Sequence, residues 1–277
     1  MVEPSTDPES LQLLTDSLQN AMTAASGAKL DAALADLGWF DMLDEIPYIA
    51  IPLVFRLLGE TGAHAAVLND VVLHAIGREP GGTVPLPYAG GSWVVWDRTD
   101  GASSALDDEL PIHRVAQSDS ASTTALAAGR LALGWWLVGT CRAMLNLARQ
   151  HAVDRVQFGR HISSFQAIRH RLAETLVAID GAAATLLAAG DIPEDHDGSH
   201  ALACLLAKAA AGQAALTAAR HCQQVLGGIG FTAEHHLHRH VKRSLVLDGL
   251  LGSTRELTRE AGTILRAKGS APRLAQL

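Results

Sequence analysis

Aromatic residues make up only 4% of this 277-residue chain, and three cysteines stand far apart, at 141, 204 and 222. So few aromatics, with β-branched residues seldom clustered, argue against a sheet-dominated fold. An odd number of scattered cysteines excludes a disulfide framework, and buried thiols in a reducing compartment are expected. Basic residues are not in excess either. The formal charge is −7 and no basic stripe offsets it, which argues against nucleic-acid binding. No uninterrupted run reaches the roughly 18 apolar residues that a membrane span requires. The polar, acidic first ten residues lack the basic and apolar regions of a secretory signal, so a cytoplasmic protein is expected.

What the chain has is alanine and leucine, which lose little conformational freedom on entering a helix. Leu11, Leu14, Leu18 and Met22 recur at helical spacing, as do Leu30, Leu34 and Leu37. Leu37-Gly38-Trp39 breaks the pattern, and two more apolar helices follow over 49–58 and 63–76, separated by Gly59 and Gly62. Residues 1–77 therefore read as a small helical domain. Residues 78–122 change character, punctuated by glycine and proline, and Trp93-Val94-Val95-Trp96 is the one good strand candidate. One or two hairpins or an irregular linker fit there, with Trp93 and Trp96 packing in a core or turn. Asp107-Asp108-Glu109 reads as a solvated loop. Residues 123–277 read as a helical bundle with long helices over 123–152, 164–189 and 199–226 and shorter ones near 234–247 and 253–267. Asp197 or Ser199 is the expected N-cap of the third, and Ser253-x-x-Glu256 resembles a capping box. The fold class is mainly α.

Two short runs carry chemistry. In Arg155-Val156-Gln157-Phe158-Gly159 the arginine offers a rigid fork of donors suited to a pyrophosphate. Gln157, and Gln166 shortly after, can hydrogen-bond phosphate or adenosine. Gly159 is placed as the stop of the preceding helix, with Phe158 packed beneath it. The second run, Gln224-Val225-Leu226-Gly227-Gly228-Ile229-Gly230-Phe231, gives a backbone that a ligand can approach closely. His235, His236, His238 and His240 form a cluster in which His236 and His240 stand four apart, as helical zinc ligands do. No His-Glu-x-x-His pattern accompanies them, and Arg239, Lys242 and Arg243 alongside suggest a solvated basic face or subunit contact. No metal site is assigned.

In this order and at this separation, the two runs resemble the C-terminal helical domain of the acyl-CoA dehydrogenase family. Leu37-Gly38-Trp39 and Leu57-Leu58-Gly59 resemble its N-terminal domain. The resemblance implies FAD shared across a subunit interface, with Arg155, Gln157, Phe158, Gln166, Gln224, Gly227 and Gly228 reaching the ADP half of a neighbour's cofactor. It also implies removal of a proton α to an acyl-CoA thioester while hydride passes to the flavin.

Two departures qualify that implication. The family's complete middle β-domain does not fit into residues 78–122. Its catalytic glutamate aligns with Leu251, or Gly252 after a one-residue slip, and the alternative family position aligns near Gly129. None of these is an acid, so no catalytic residue is assigned, with Asp248 the nearest carboxylate. The reading is a subunit that completes a partner's FAD site, resembling the degenerate subunit of α2β2 dehydrogenases acting on steroid side-chain CoA thioesters. The alternatives are a homo-oligomeric dehydrogenase using Asp248 and a helical interaction protein that binds no flavin.

Overall fold

The computed structural model describes residues 7–99, 107–117, 122–193 and 198–271. Five helices come first: α1 (Pro8–Ala24), α2 (Ala28–Asp36), α3 (Trp39–Glu45), α4 (Pro47–Thr61) and α5 (Val67–His74). Strands β1 (Pro85–Tyr88), β2 (Ser92–Trp96) and β3 (Ile112–Val115) follow, and then the long helices α6 (Thr123–Asp154), α7 (Gln166–Gly190) and α8 (Ser199–Leu226). A two-residue-per-strand hairpin, β4 (Val156–Gln157) and β5 (Arg160–His161), joins α6 to α7, and α9 (Leu237–Gly249) and α10 (Thr254–Lys268) close the chain. The mainly α class holds.

Several local expectations are corrected. Gly59 does not interrupt a helix but lies buried inside α4. A methyl group on it would stand 2.4 Å from the Thr140 nitrogen, and one on Gly139 would stand 2.0 Å from the Arg56 carbonyl oxygen. The two glycines let the α4 and α6 backbones touch, which no side chain would permit. Gly62, at φ 74°, is the left-handed residue that ends α4. The third long helix opens from Gly198, not from a side-chain cap, and Ser199 is its first helical residue; Asp197 lies outside the described residues. The capping box at Ser253 and Glu256 is present as expected.

Strands β1, β2 and β3 build a three-stranded antiparallel sheet in that order, the two-hairpin arrangement among those expected, with two strands besides the one at Trp93–Trp96. Pro85 and Pro87 hid the first strand. Proline is tolerated there because β1 is an edge strand, where a missing N–H costs no ladder bond. The sheet docks on α5 through polar contacts. Asn69 Nδ2 donates to the Trp96 carbonyl at 2.9 Å, and Arg98 pairs with Asp70, which also accepts from Trp39 Nε1 at 3.1 Å. The scarce aromatics are concentrated at this junction. Trp96 stacks on Trp136 with centroids 5.4 Å apart, and Phe55 meets Trp136 edge-on at 5.6 Å. One continuous apolar core consequently runs from α1 through the sheet into α9.

Three helices, α6, α7 and the continuation of α8 to Phe231, are long and apolar enough to cross a membrane by length and composition. The absence of an uninterrupted apolar run therefore did not exclude such helices. Most of the apolar stretch in α6 and α8 is buried within the bundle, whereas most of it in α7 is exposed.

Candidate functional site

Because α7 reverses the chain and α8 reverses it again, the C-terminal ends of α6 and α8 and the first turn of α7 share one end of the bundle. Both sequence runs lie there. The His151 ring at the end of α6 meets the His235 ring just beyond the glycine run, with centroids 6.5 Å apart.

The first run is a projecting hairpin. Helix α6 stops at Asp154, so Gly159 is not its terminator. Gln157 pairs with Arg160 across a two-residue turn made by Phe158 (φ 53°) and Gly159 (φ 76°). Two positive φ values in a two-residue loop match the twist of the flanking strands. Glycine adopts that conformation freely, but a non-glycine residue is strained by roughly 1–2 kcal/mol. Phe158 is not packed beneath Gly159: it is 91% exposed, with its ring edge-on to Phe165 at 6.1 Å. Arg155 and Gln157 are exposed as well. Arg160, which sequence pattern did not single out, lies with its guanidinium 4.1 Å above the Phe165 ring. Gln166 is the exposed first residue of α7, a helix that begins without a side-chain cap, so its positive end faces the same region.

The second run divides by function. A side chain on Gly230 would collide with the Gln223 carbonyl at 2.9 Å, so that glycine is needed for packing. Nothing lies within 4 Å of a methyl group built on Gly227 or Gly228. Gln224 is exposed beside them. An open backbone, three side-chain amides (Gln157, Gln166 and Gln224), two arginines (Arg155 and Arg160) and a helix N-terminus thus lie at one end of the molecule, a set of groups suited to an anion.

The positions aligned with the family's base have a different character. Leu251 is 2% exposed and holds φ 54°, and a methyl group on Gly129 would stand 2.5 Å from Leu251 Cδ1. The two alternative base positions are therefore in contact across one small space, and leucine occupies the hole that glycine leaves. Val72 of α5 borders the same space. Strand β1 covers it from the other side: Leu251 N–H donates to the Pro87 carbonyl at 2.8 Å, and the Tyr88 ring lies against Gly249. Gly90 N–H donates to Glu256 at 2.8 Å, closing the cover.

Two buried cations hold this turn from within. Arg130 Nε donates to the Leu251 carbonyl at 3.1 Å, and Lys208 Nζ donates to the carbonyls of Asp248 and Gly252. Burial lowers the Lys208 pKa to about 8, against the opposing pull of Asp248. Asp248 itself accepts from the Thr254 hydroxyl at 2.5 Å and the Thr254 N–H at 3.1 Å. Its carboxylate is a cap on α10.

The histidine and acidic clusters are also reassigned by their contacts. Asp107 is fully buried and accepts from Arg243 Nε at 2.5 Å, while Glu109 takes Arg243 at 2.9 Å and Arg239 at 2.6 Å, and Asp108 takes Lys242 at 2.7 Å. The supposed solvated loop and basic face are two halves of one ion-paired clasp. His240 turns inward while His236 is exposed. Among the described residues, no group of three or more His, Cys, Asp or Glu side chains could hold a metal ion. All three cysteines are buried, and burial pushes the Cys222 thiol up to about 12.

His64 and His240 flank the clasp, each with a buried, unpartnered Nδ1. Burial lowers both pKa values to about 4, helped by Arg243 at His64 and by Arg239 and Arg243 at His240. The unfolded chain takes up these protons near pH 6.5, so their stabilising contribution is complete above that pH and is lost as pH falls toward 4. Asp31 acts oppositely, since burial raises its pKa to about 6. Between pH 6.5 and 6 the histidines dominate, and below pH 6 Asp31 offsets part of their effect. The melting temperature should therefore begin to fall as pH drops below 6.5. A His64→Asn/His240→Asn variant should fall less over the same interval in thermal scans, and an equal fall would dismiss the histidines as its source.

A family model described as the acyl-CoA dehydrogenase C-terminal domain matches residues 120–261. The chain belongs to the acyl-CoA dehydrogenase family. Acyl-CoA dehydrogenase FadE34 of Mycobacterium tuberculosis is 31% identical over 72% of this chain and 30% of its own length. Acyl-CoA dehydrogenase IpdE2 of the same organism is 34% identical over 61% of this chain and 53% of its own. The chain thus spans about a third to a half of these relatives. In fold it is similar to the ChsE4-ChsE5 complex from Mycobacterium tuberculosis, at TM-score 0.68 and 17% identity, covering 96% of this chain and 99% of that one. Heteromeric assemblies are therefore represented among the solved acyl-CoA dehydrogenases that share its fold.

Proposed function

We propose that this chain is the non-catalytic subunit of a heteromeric FAD-dependent acyl-CoA dehydrogenase and completes its partner's flavin site. The observation that carries the reading is the contrast between two places in one molecule. The base position is packed shut by Leu251 against Gly129, while the tips that suit a dinucleotide stand open. Arg155, Gln157, Phe158, Gln166, Gln224, Gly227 and Gly228 would hold the ADP half, with Arg160 a further cation beside them. When bound, the flavin supplies the hydride acceptor; this chain contributes charge neutralisation and shape around the pyrophosphate and adenosine.

On this reading the partner is a full-length acyl-CoA dehydrogenase subunit that brings the base, the complete β-domain and most of the acyl site. The assembly is an α2β2 heterotetramer in the cytoplasm. Residues 1–77, 78–122 and 123–277 are its helical, middle and flavin-contacting units. A steroid side-chain thioester is the proposed substrate class, motivated by the family resemblance. A self-sufficient enzyme built on Asp248 is disfavoured because both of that residue's oxygens face Thr254.

Coexpression with a full-length partner tests the reading. The complex should carry stoichiometric FAD, and the chain alone should carry little. Arg155→Ala should weaken FAD retention in the complex by about 10- to 100-fold, the equivalent of losing charge-assisted hydrogen bonds worth ~1.5–3 kcal/mol. The melting temperature of the chain should not change. FAD content that survives Arg155→Ala intact would count against the assignment.

A further inference from the structure

His151 and His235 stand where the two runs of the candidate site meet. His151 occupies the last turn of α6, four residues before Arg155, so the two side chains are neighbours on one side of the helix end. Arg155 N–H closes that turn on the His151 carbonyl at 2.9 Å. The His235 ring, just beyond the glycine run, lies edge-on to the His151 ring, with their planes at 87°. Both residues are half-buried. The pair thus bridges the arginine of the hairpin and the open backbone of Gly227 and Gly228.

The two rings are not equivalent. Leu237 N–H donates to His235 Nδ1 at 3.1 Å, which places the His235 proton on Nε2. A second proton, on Nδ1, would break that bond at the start of α9, a helix with no other side-chain cap. His151 makes no hydrogen bond or ion pair among the described residues. Burial, His235 and Arg155 hold its pKa below the ordinary histidine value, while Asp154 pulls the other way. The elements around it are mostly basic. Strand β5 brings Arg160 and His161, α7 brings Arg169, His170, Arg171 and Glu174, and α8 brings Arg220 and His221. Glu234 and His236 flank His235. The acids among these are Asp154, Glu174 and Glu234, too few to offset the cations. A neutral histidine in such a field gains a proton when an anion arrives, because a nearby opposite charge favours the charged form. The C-terminal end of a helix favours the same cation.

We infer that His151 is a further binding residue for the dinucleotide, taking one proton from the buffer as the diphosphate binds, and that His235 positions it. The inference rests on the flavin-completing role proposed above.

Calorimetry of FAD binding to the flavin-stripped complex, in buffers of different ionisation enthalpy, reads the proton directly. The wild-type complex should take up a fraction of a proton at pH 7. It should hold FAD roughly five- to tenfold more tightly at pH 6 than at pH 8, the range that an adjacent opposite charge produces. His151→Gln should take up none and hold FAD at pH 6 as weakly as wild type does at pH 8. His151→Lys carries its charge throughout and should be tight at both pH values, a rescue that a packing role would not give. His235→Phe keeps a ring against His151 and should keep the proton uptake. Wild-type retention that does not change with pH would overturn the inference, as would a Lys variant as weak as the Gln variant. So would uptake that persists in His151→Gln and vanishes in His235→Phe. A flat profile with Arg155→Ala still losing FAD would sink the histidine inference alone. Arg155→Ala with its full FAD content would sink the proposed function and this inference with it.

Discussion

Replacing Arg243 by methionine should cost about 3–5 kcal/mol of stability, the usual loss when one partner of a buried ion pair is removed. Arg243 is 1% exposed and donates to Asp107, to Glu109, and to the carbonyls of Gly62 and Ala63 at 3.2 and 3.3 Å. Without it, the Asp107 carboxylate is left unpaired in a place that water does not reach, and the Gly62 and Ala63 carbonyls at the end of α4 lose their donor. Methionine fills a similar volume, so a packing defect contributes little. The denaturation midpoint should fall while the slope of the transition stays constant. The double variant Arg243→Met/Asp107→Leu should recover much of the loss, because two well-packed apolar groups need no compensating charge. A single variant within 1 kcal/mol of wild type would show that the clasp is dispensable. A double variant no better than the single would show that the carbonyls, not the carboxylate, set the cost.

Leu251→Glu is the second large effect, and it tests whether the catalytic position can be reoccupied. In a member of this family a glutamate at that position is the direct way to reintroduce a base. Here the side chain would enter a space bounded by Gly129, Val72 and strand β1, at a residue only 2% exposed. Burying a carboxylate in such surroundings costs several kcal/mol unless the group takes up a proton. The variant should therefore melt well below wild type, with the deficit growing as pH rises from the ordinary glutamate range up to the raised pKa of the new acid and level above it. The chain with added FAD and acyl-CoA thioesters should show no desaturation in a dye-reduction assay. Turnover appearing in this variant would mean that an acyl site survives beneath the cover, and the reading of a closed position would have to be abandoned.

Much of this was legible in the residues, and what was not has physical reasons. Helix α8 was placed from Ser199 to Leu226 because uninterrupted alanine and leucine leave no competing structure. The box at Ser253 and Glu256 was visible because it is local. Helix α3 was missed since it is only seven residues long, entered from the left-handed Gly38 and followed at once by Pro47. Strand β1 was hidden by prolines that only an edge position tolerates. Gly59 looked like a helix breaker because its reason, the backbone of α6, lies some eighty residues away. Phe158 invited a buried role by its chemistry, and only the hairpin reveals that it stands in solvent with its ring edge-on to Phe165. Asp107 likewise looked solvated until Arg243, 136 residues later, was brought against it. At the candidate site, the family resemblance groups Arg155 with Gln224, and the structure brings the ends of their two runs to one end of the bundle. The closure of Gly129 over Leu251 depends on contacts between distant segments that no spacing encodes.

The backbone contact between α4 and α6 has a mechanical consequence. Where Gly59 and Gly139 meet, there is no layer of side chains that could change rotamer and let one helix glide over the other. The N-terminal helices and the bundle must then travel as a single lever. Any rearrangement that accompanies docking at the far end has to be absorbed in the hairpin and the glycine run, where the chain still has slack.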